Sequence, residues 1–154
     1  IGKTLVKLVK GFDFNIRAFD LYQDEQFAKE NRVAYCNLDT LLSDSDIISI
    51  HLNLTDKTNQ LMNAEQISKM KPESILINAS RGEMIDEEAL YKALKEKRIL
   101  GAGLDVFNNE PYSGPLTELE NVILTPHIGS YAKELRIKME IEAVENLMRG
   151  LNEE

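Results

Sequence analysis

The sequence has few of the residues that form covalent cross-links or membrane anchors. Among 154 residues it has one cysteine, Cys36, so an internal disulfide and a cysteine-based zinc site are excluded, and no metal site is expected. No apolar run approaches the roughly 18 residues that a membrane span needs, and no signal peptide is visible. These absences predict a protein of a reducing compartment, the cytoplasm, with no membrane partner.

Positive charge is also scarce, since 18 Lys and Arg face 26 Asp and Glu and give a formal charge of −8. A surface that could neutralise phosphates is not evident, so we do not expect nucleic acid as a partner. The 43% of hydrophobic and 29% of charged residues are ordinary for a globular protein. The length suits a single domain, which we assign to residues 1–154.

Short apolar segments alternate with helical patterns along the whole chain. Several segments are apolar on both faces, which predicts helices on both sides of a doubly wound parallel α/β sheet. Predicted strands cover residues 14–19, 33–35, 47–50, 74–77, 101–106 and 122–124. Predicted helices cover residues 1–9, 24–31, 38–42 and 64–70, a segment opened by Asp86, and a last segment from about Ser130 to Gly150, with an apolar stripe at Ile137, Ile141, Val144 and Met148.

Reactive side chains follow the predicted strands. Ligands of a parallel α/β sheet bind outside the carboxyl ends of its strands. Chance would scatter such side chains over both ends of the sheet, so their placement after the strands predicts one ligand site at that edge. The residues are Asp20, His51, Arg81, Asp105, Glu110 and His127.

Asp20 ends a predicted strand 18 positions after Gly2, which stands at the start of a helix. This spacing fits the tail of the Rossmann fingerprint G-x-G-x-x-G, in which an acid about 20 residues further on binds the adenosine ribose. The first two glycines would lie upstream of Ile1. A carboxylate here repels a 2′-phosphate and favours NAD over NADP. A simple turn aspartate at the strand end is the alternative.

Arg81 follows a buried strand, and its guanidinium could bind a small carboxylate through two hydrogen bonds. We expect Gly82 to let the backbone turn sharply there. An ion pair of Arg81 with Glu83 or Asp86 is the alternative.

Glu110 and His127 follow adjacent predicted strands, and a carboxylate at the second ring nitrogen would orient a histidine for proton transfer. A capping histidine beside a solvated glutamate is the alternative. Asp105, inside an apolar strand, needs hydrogen-bond donors, and a nicotinamide carboxamide or the backbone could supply them. We expect His51 to be structural or to line the cofactor rather than to be catalytic.

Four longer motifs together resemble the D-isomer-specific 2-hydroxyacid dehydrogenases. They cover residues 45–55, 70–82, 101–111 and 124–129, in order and at the family's spacing. The resemblance implies a Rossmann-type NAD-binding domain that lacks its first strand in this sequence. It also implies a substrate domain in segments before and after residues 1–154. Asn53 stands where the family usually has proline, which could loosen its loop.

The resemblance implies hydride exchange between NAD and a small D-2-hydroxy or 2-keto acid, such as D-3-phosphoglycerate or an acid of the glyoxylate or hydroxypyruvate type. Arg81 would hold the carboxylate and keto oxygen, and His127, with Glu110 as its partner, would exchange the proton. Contacts with the cofactor are implied for Ile1, Gly2, Asp20, His51, Leu52, Asn53, Thr58, Ala79, Ser80, Arg81, Asp105, His127 and Gly129.

Two other functions stay open. A dinucleotide-sensing protein similar to transcriptional co-repressors could use the same scaffold, and a docking domain would bind no cofactor. Relatives of this family commonly dimerise through this domain, so a homodimer is expected. The 154-residue chain alone should be nearly inactive, since a closed cleft between two domains is needed to exclude water.

Overall fold

The computed structural model describes residues 1–152 and contains parallel strands flanked by helices. The strands are β1 (Ile16–Ala18), β2 (Val33–Tyr35), β3 (Ile47–Ile50), β4 (Ile75–Asn78), β5 (Gly101–Leu104) and β6 (Val122–Leu124). The α-helices are α1 (Gly2–Leu8), α2 (Glu25–Asn31), α3 (Leu38–Asp44), α4 (Ala64–Lys69), α5 (Glu87–Lys95) and α6 (Lys133–Asn152). Short 3₁₀ helices cover Val9–Phe12, Gly82–Met84 and Pro115–Glu118.

All strand pairs are parallel, which confirms the predicted fold class. Strands β3, β4, β5 and β6 form one sheet in chain order, and β1 pairs with β2 in a second sheet. The register places Ile50 beside Asn78 and Asn78 beside Leu104, so these strands end at the same edge. Within residues 1–152 the two sheets share no hydrogen-bonded strand pair, where the prediction was a single sheet.

Four helices begin at an Asp or Asn whose side chain accepts a hydrogen bond from the first turn. The capping residues are Asp24, Asn37, Asn63 and Asp86. Such caps satisfy backbone N–H groups that have no partner inside the helix. They explain why helix starts could be located closely from the sequence.

The core packs one face of the four-stranded sheet against helices. Ile48, Leu76 and Leu104 point from the sheet into a cluster with Leu90 and Leu94 of α5. Burying one such side chain contributes about 1.5–3 kcal/mol. Residues of the opposite face stay accessible: Ile47 is 52% and Ile123 72% exposed. Helices were predicted on both faces, but within residues 1–152 this second face is left partly open.

The last helix differs from its prediction. Helix α6 begins at Lys133 and continues through Gly150, so the predicted stop at Gly150 is wrong. A glycine ends a helix by adopting a left-handed conformation, and no glycine of the described residues has a positive φ. The predicted apolar stripe is exposed, with Ile137 at 48% and Val144 at 60%. No helix in residues 1–152 has both the length and the apolar composition needed to cross a bilayer.

Candidate active site

Residues that follow the parallel strands meet at the common carboxyl edge of the sheet. Arg81 follows β4, and Glu110 lies in the loop after β5. His127 follows β6, and all three side chains line one cavity of about 260 Å³. A neighbouring cavity of about 610 Å³ shares Phe107, Glu110 and His127 but is otherwise lined by residues such as Tyr112 and Tyr131. The smaller cavity therefore combines the permanent positive charge of Arg81 with the imidazole of His127.

The structure brings His127 and Glu110 into direct contact. The Nδ1 atom of His127 lies 2.8 Å from Oε2 of Glu110, and Oε1 of Glu110 accepts a bond from the Phe107 N–H at 3.0 Å. The hydrogen bond with His127, followed by that from Phe107, holds the pKa of Glu110 below its usual range. An ionised Glu110 assigns the Nδ1 proton to the imidazole, which leaves Nε2 for a ligand. Within residues 1–152 Nε2 of His127 forms no hydrogen bond.

Asp105 holds the turn that carries His127. Its Oδ1 accepts bonds from the Thr125 hydroxyl at 2.5 Å and the Ile128 N–H at 2.9 Å. Its Oδ2 accepts from the Gly129 N–H at 2.9 Å. His127 lies between these residues with a left-handed φ of 54°, a conformation that costs about 1–3 kcal/mol for a residue other than glycine. The carboxylate thus holds the backbone after a strained histidine and the Thr125 side chain before it.

The environment of Asp105 corrects one expectation. Strand β5 ends at Leu104, so Asp105 follows the strand instead of lying inside it. Partial burial raises the pKa of Asp105, but the bonds from Thr125, Ile128 and Gly129 outweigh it, and the pKa lies below the ordinary value. The chain itself therefore supplies donors to this carboxylate. Its contact with a nicotinamide carboxamide stays a prediction, for which Oδ2 retains a free lone pair.

Asn78 braces the loop that carries Arg81. The amide is 1% exposed, and its Nδ2 donates to the Arg81 carbonyl at 2.8 Å while its Oδ1 accepts from the Ser80 N–H at 3.0 Å. The Arg81 Nη1 donates to the Ser80 carbonyl at 2.7 Å, and Arg81 forms no ion pair within residues 1–152. Asn78 was not among the predicted site residues, although a polar amide at the end of an apolar strand is a visible signal in the sequence.

Gly82 allows two loops of the site to touch. A Cβ atom at this position would lie 2.0 Å from the carbonyl carbon of Phe107, far inside van der Waals contact. The backbone turns at Gly82 into the 3₁₀ helix Gly82–Met84, but without a positive φ, so the glycine is needed for close backbone approach. Glu87 adds a second link, since its Oε1 accepts from the Asn108 N–H at 2.7 Å. The Arg81 loop and the Glu110 loop are therefore held in one unit.

His51 lies against the first turn of α1. A Cβ atom on Gly2 would be 3.7 Å from the His51 side chain, and the His51 Nε2 is 3.0 Å from the Ser49 hydroxyl. Burial lowers the pKa of His51, so the ring is neutral near pH 7. That His51 lines the cofactor without doing proton chemistry stays a prediction, for which a neutral ring beside Gly2 is suited.

The loop after β3 is closed by side-chain bonds. The Thr58 hydroxyl donates to the Asn53 carbonyl at 2.7 Å and accepts from the Thr55 N–H at 2.8 Å. The Ser80 hydroxyl donates to the Leu52 carbonyl at 2.6 Å and joins this loop to the one after β4. The expected loosening at Asn53 is therefore offset by Thr58.

Three other predicted cofactor residues lie at the start of α1, after β1 and after β4. Ile1 caps α1 with its carbonyl, which accepts from the Leu5 N–H at 3.0 Å. Asp20 follows β1, and its Oδ1 accepts from the Tyr22 N–H at 2.9 Å, as in the turn that was the alternative. Its second oxygen stays available for a ribose hydroxyl. Ala79 is exposed directly after β4.

A protein-family comparison decides the family. The model described as "D-isomer specific 2-hydroxyacid dehydrogenase, NAD binding domain" matches residues 1–129. The chain belongs to the D-isomer specific 2-hydroxyacid dehydrogenase family. This confirms the resemblance that the four motifs carried.

The chain is similar to only part of each relative and of each solved structure that it matches. It is 45% identical over 150 residues to glyoxylate reductase of Korarchaeum cryptofilum, covering 96% of this chain but 45% of that protein. Its structure is similar to D-lactate dehydrogenase from Aquifex aeolicus complexed with NAD and lactic acid, with a TM-score of 0.89, 32% identity and coverage of 99% and 50%. An acyclic imino acid reductase in complex with NADPH and D-Arg gives a TM-score of 0.88, 33% identity and coverage of 99% and 48%. The chain thus spans about half the length of these dehydrogenases and reductases.

In this dehydrogenase domain Glu110→Gln should separate the charge of the carboxylate from its shape. The ionised Glu110 accepts a hydrogen bond from Nδ1 of His127 and orients the ring, so loss of this charge should lower turnover about 10–100-fold. The pKa of Glu110 is held low, so its own titration lies below the working range. Steady-state rates between pH 5 and 10 test this, with Glu118→Gln on the adjoining loop as the matched control. Wild-type turnover in Glu110→Gln would contradict the role of Glu110.

Proposed function

We propose that the chain is the dinucleotide-binding domain of a longer NAD-dependent dehydrogenase that reduces a small 2-keto acid, such as glyoxylate or hydroxypyruvate. The single observation that carries this proposal is the cavity of about 260 Å³ in which Arg81 and the His127–Glu110 pair meet. The similarity to a glyoxylate reductase and to a lactate-bound dehydrogenase supports a small 2-hydroxy or 2-keto acid.

Each residue of the cavity has a distinct task in the proposed reaction. The nicotinamide, when bound, supplies a hydride to the carbonyl carbon of the acid. The Arg81 guanidinium binds the substrate carboxylate and offsets the negative charge that develops on the carbonyl oxygen. Protonated His127 donates its Nε2 proton to that oxygen, while Glu110 stabilises the imidazolium. In the oxidative direction neutral His127 accepts the proton of the hydroxyl group.

The donor set at the sheet edge fits a dinucleotide. Gly2 leaves the first turn of α1 free of side-chain bulk, and one carboxylate oxygen of Asp20 is available for the ribose. The carboxylate of Asp20 would repel a 2′-phosphate, so we propose NAD as the preferred cofactor. The similar imino acid reductase is in complex with NADPH, so the preference of this protein for NAD should be measured directly.

Replacing Arg81 with Lys tests the proposal because it keeps the charge but removes the planar fork. We expect the wild-type full-length protein to oxidise NADH with glyoxylate or hydroxypyruvate. In Arg81→Lys we expect kcat/KM to fall about 100-fold, mainly through KM, with the Kd of NADH unchanged. Absorbance at 340 nm measures turnover over a panel that also contains pyruvate and phosphohydroxypyruvate. Arg149→Lys on exposed α6 is the control.

The panel also distinguishes the remaining alternatives. Preferred turnover of phosphohydroxypyruvate would move the assignment to D-3-phosphoglycerate. Tight binding of NADH without turnover of any acid would contradict the dehydrogenase and favour the dinucleotide sensor. The homodimer, the cytoplasmic location and the low activity of residues 1–154 alone stay predictions that sedimentation, cell fractionation and assay of the isolated chain can test.

A further inference from the structure

The lysine that directly follows Gly2 is paired with an acidic residue. Lys3 follows Gly2 on α1, and its ammonium group forms an ion pair with the carboxylate of Asp24. The same ammonium nitrogen lies 5.3 Å from the ring centre of Phe27. Asp24 stands four residues after Asp20, so this pair adjoins the predicted adenosine end of the site.

The carboxylate of Asp24 is held in place independently of Lys3. Its Oδ1 accepts from the Phe27 N–H at 2.9 Å, and the Asp24 N–H donates to the Tyr35 hydroxyl at 3.0 Å. These bonds leave Oδ2 for the ammonium group. The hydrogen bond from Lys3 lowers the pKa of Asp24, and that with Asp24 raises the pKa of Lys3, so both groups are charged at neutral pH.

Arg17, a second cationic residue in this part of the chain, is also paired with an acidic residue. Arg17 of β1 lies 3.2 Å from the carboxylate of Asp44. A 2′-phosphate on the adenosine ribose carries about two negative charges and is bound tightly only where lysine or arginine can donate to it. To donate to a phosphate beside Asp20, Lys3 would have to give up its ion pair with Asp24.

We infer that Asp24 is a specificity-determining residue for the dinucleotide, because its ion pair with Lys3 withholds from a 2′-phosphate the lysine that adjoins Gly2. This inference rests on the proposed function, since it requires a dinucleotide at the sheet edge. It differs from the repulsion by Asp20, because the effect of Asp24 passes through Lys3 and should vanish when Lys3 is absent.

Asp24→Asn in the full-length protein tests the inference. Asparagine is also a favourable N-cap, so the start of α2 is preserved while the ion pair is lost. Titration of dinucleotide fluorescence gives the Kd of NADH and of NADPH for each variant. We expect the ratio of the NADPH Kd to the NADH Kd to fall about 3–5-fold in Asp24→Asn, with the Kd of NADH within about twofold of wild type.

Two further variants make the result specific. Glu25→Gln removes an acid of the same turn that does not pair with Lys3, so its ratio should match wild type. The double variant Lys3→Met, Asp24→Asn should lose most of the NADPH gain. Circular dichroism of each variant checks that α2 is retained.

The outcomes separate this inference from the proposed function. A wild-type protein that binds NADH, combined with an unchanged ratio in Asp24→Asn, would overturn the inference alone. A gain that persists in full in the double variant would also overturn it, because the lysine would then have no part. A wild-type protein that binds neither dinucleotide would contradict the proposed function, and the inference with it.

Discussion

Turnover of the 2-keto acid is expected to fall about 10²–10⁴-fold when His127 is replaced with Gln, with the Kd of NADH within about twofold of wild type. The reason is geometric, since the Nδ1 atom is bonded to Glu110 at 2.8 Å and only Nε2 is left to serve the substrate. Glutamine keeps a polar group at this position but cannot exchange a proton near neutral pH. Single-turnover absorbance of bound NADH measures the effect on the reaction step itself.

The second histidine provides the comparison for this prediction. His51 is neutral and bonded to Ser49, so His51→Gln should change the Kd of NADH more than the single-turnover rate. Equal losses of rate in both variants would indicate general damage to the fold. Wild-type turnover in His127→Gln would contradict its assignment as the proton donor.

Gly82→Ala should lower the free energy of unfolding, because it adds a methyl group where there is no room for one. The added Cβ would lie 2.0 Å from the carbonyl carbon and 2.5 Å from the Cα of Phe107, so backbone must move to admit it. Phe107 is 7% exposed, and its N–H holds Glu110, so the displacement reaches both the core and the site. We expect a loss of about 1–3 kcal/mol in the free energy of unfolding, together with a marked loss of turnover.

Gly150→Ala is the matched control, because a Cβ at this position meets no atom within 4 Å. An alanine inside α6 should stabilise the helix by about 0.5–1 kcal/mol. Urea denaturation followed by circular dichroism compares the two variants. Equal free energies of unfolding for Gly82→Ala and wild type would show that the two loops do not depend on this close approach.

Local signals in the sequence predict most of the elements because those signals act within a few residues. Strands β2, β3 and β6 have the predicted bounds, since each is a short apolar segment between turn-forming residues. Helix α5 begins where Asp86 offers a cap to the Ala89 N–H at 3.0 Å. The parallel direction of the strands then follows from the alternation of strand and helix, and with it the edge at which the reactive residues meet.

Contacts between distant segments could not be predicted in the same way. The approach of Gly82 to Phe107 and the bond from Thr125 to Asp105 depend on the final positions of neighbouring strands. The stop expected at Gly150 failed because composition does not show whether a glycine adopts a left-handed conformation. The apolar stripe of α6 correctly indicates a helix, yet its exposure at Ile137 depends on which surfaces are available to pack against it.

The transfer of deuterium from [4,4-²H₂]NADH to glyoxylate tests the central claim most directly. The full-length protein would be incubated with both compounds, and the glycolate formed would be analysed by mass spectrometry. The geometry of Arg81, Glu110 and His127 predicts glycolate with one deuterium at C2, and its near absence with His127→Gln. Bound NADH without labelled product from glyoxylate or any other 2-keto acid of the panel would contradict the dehydrogenase and leave the dinucleotide sensor as the better account.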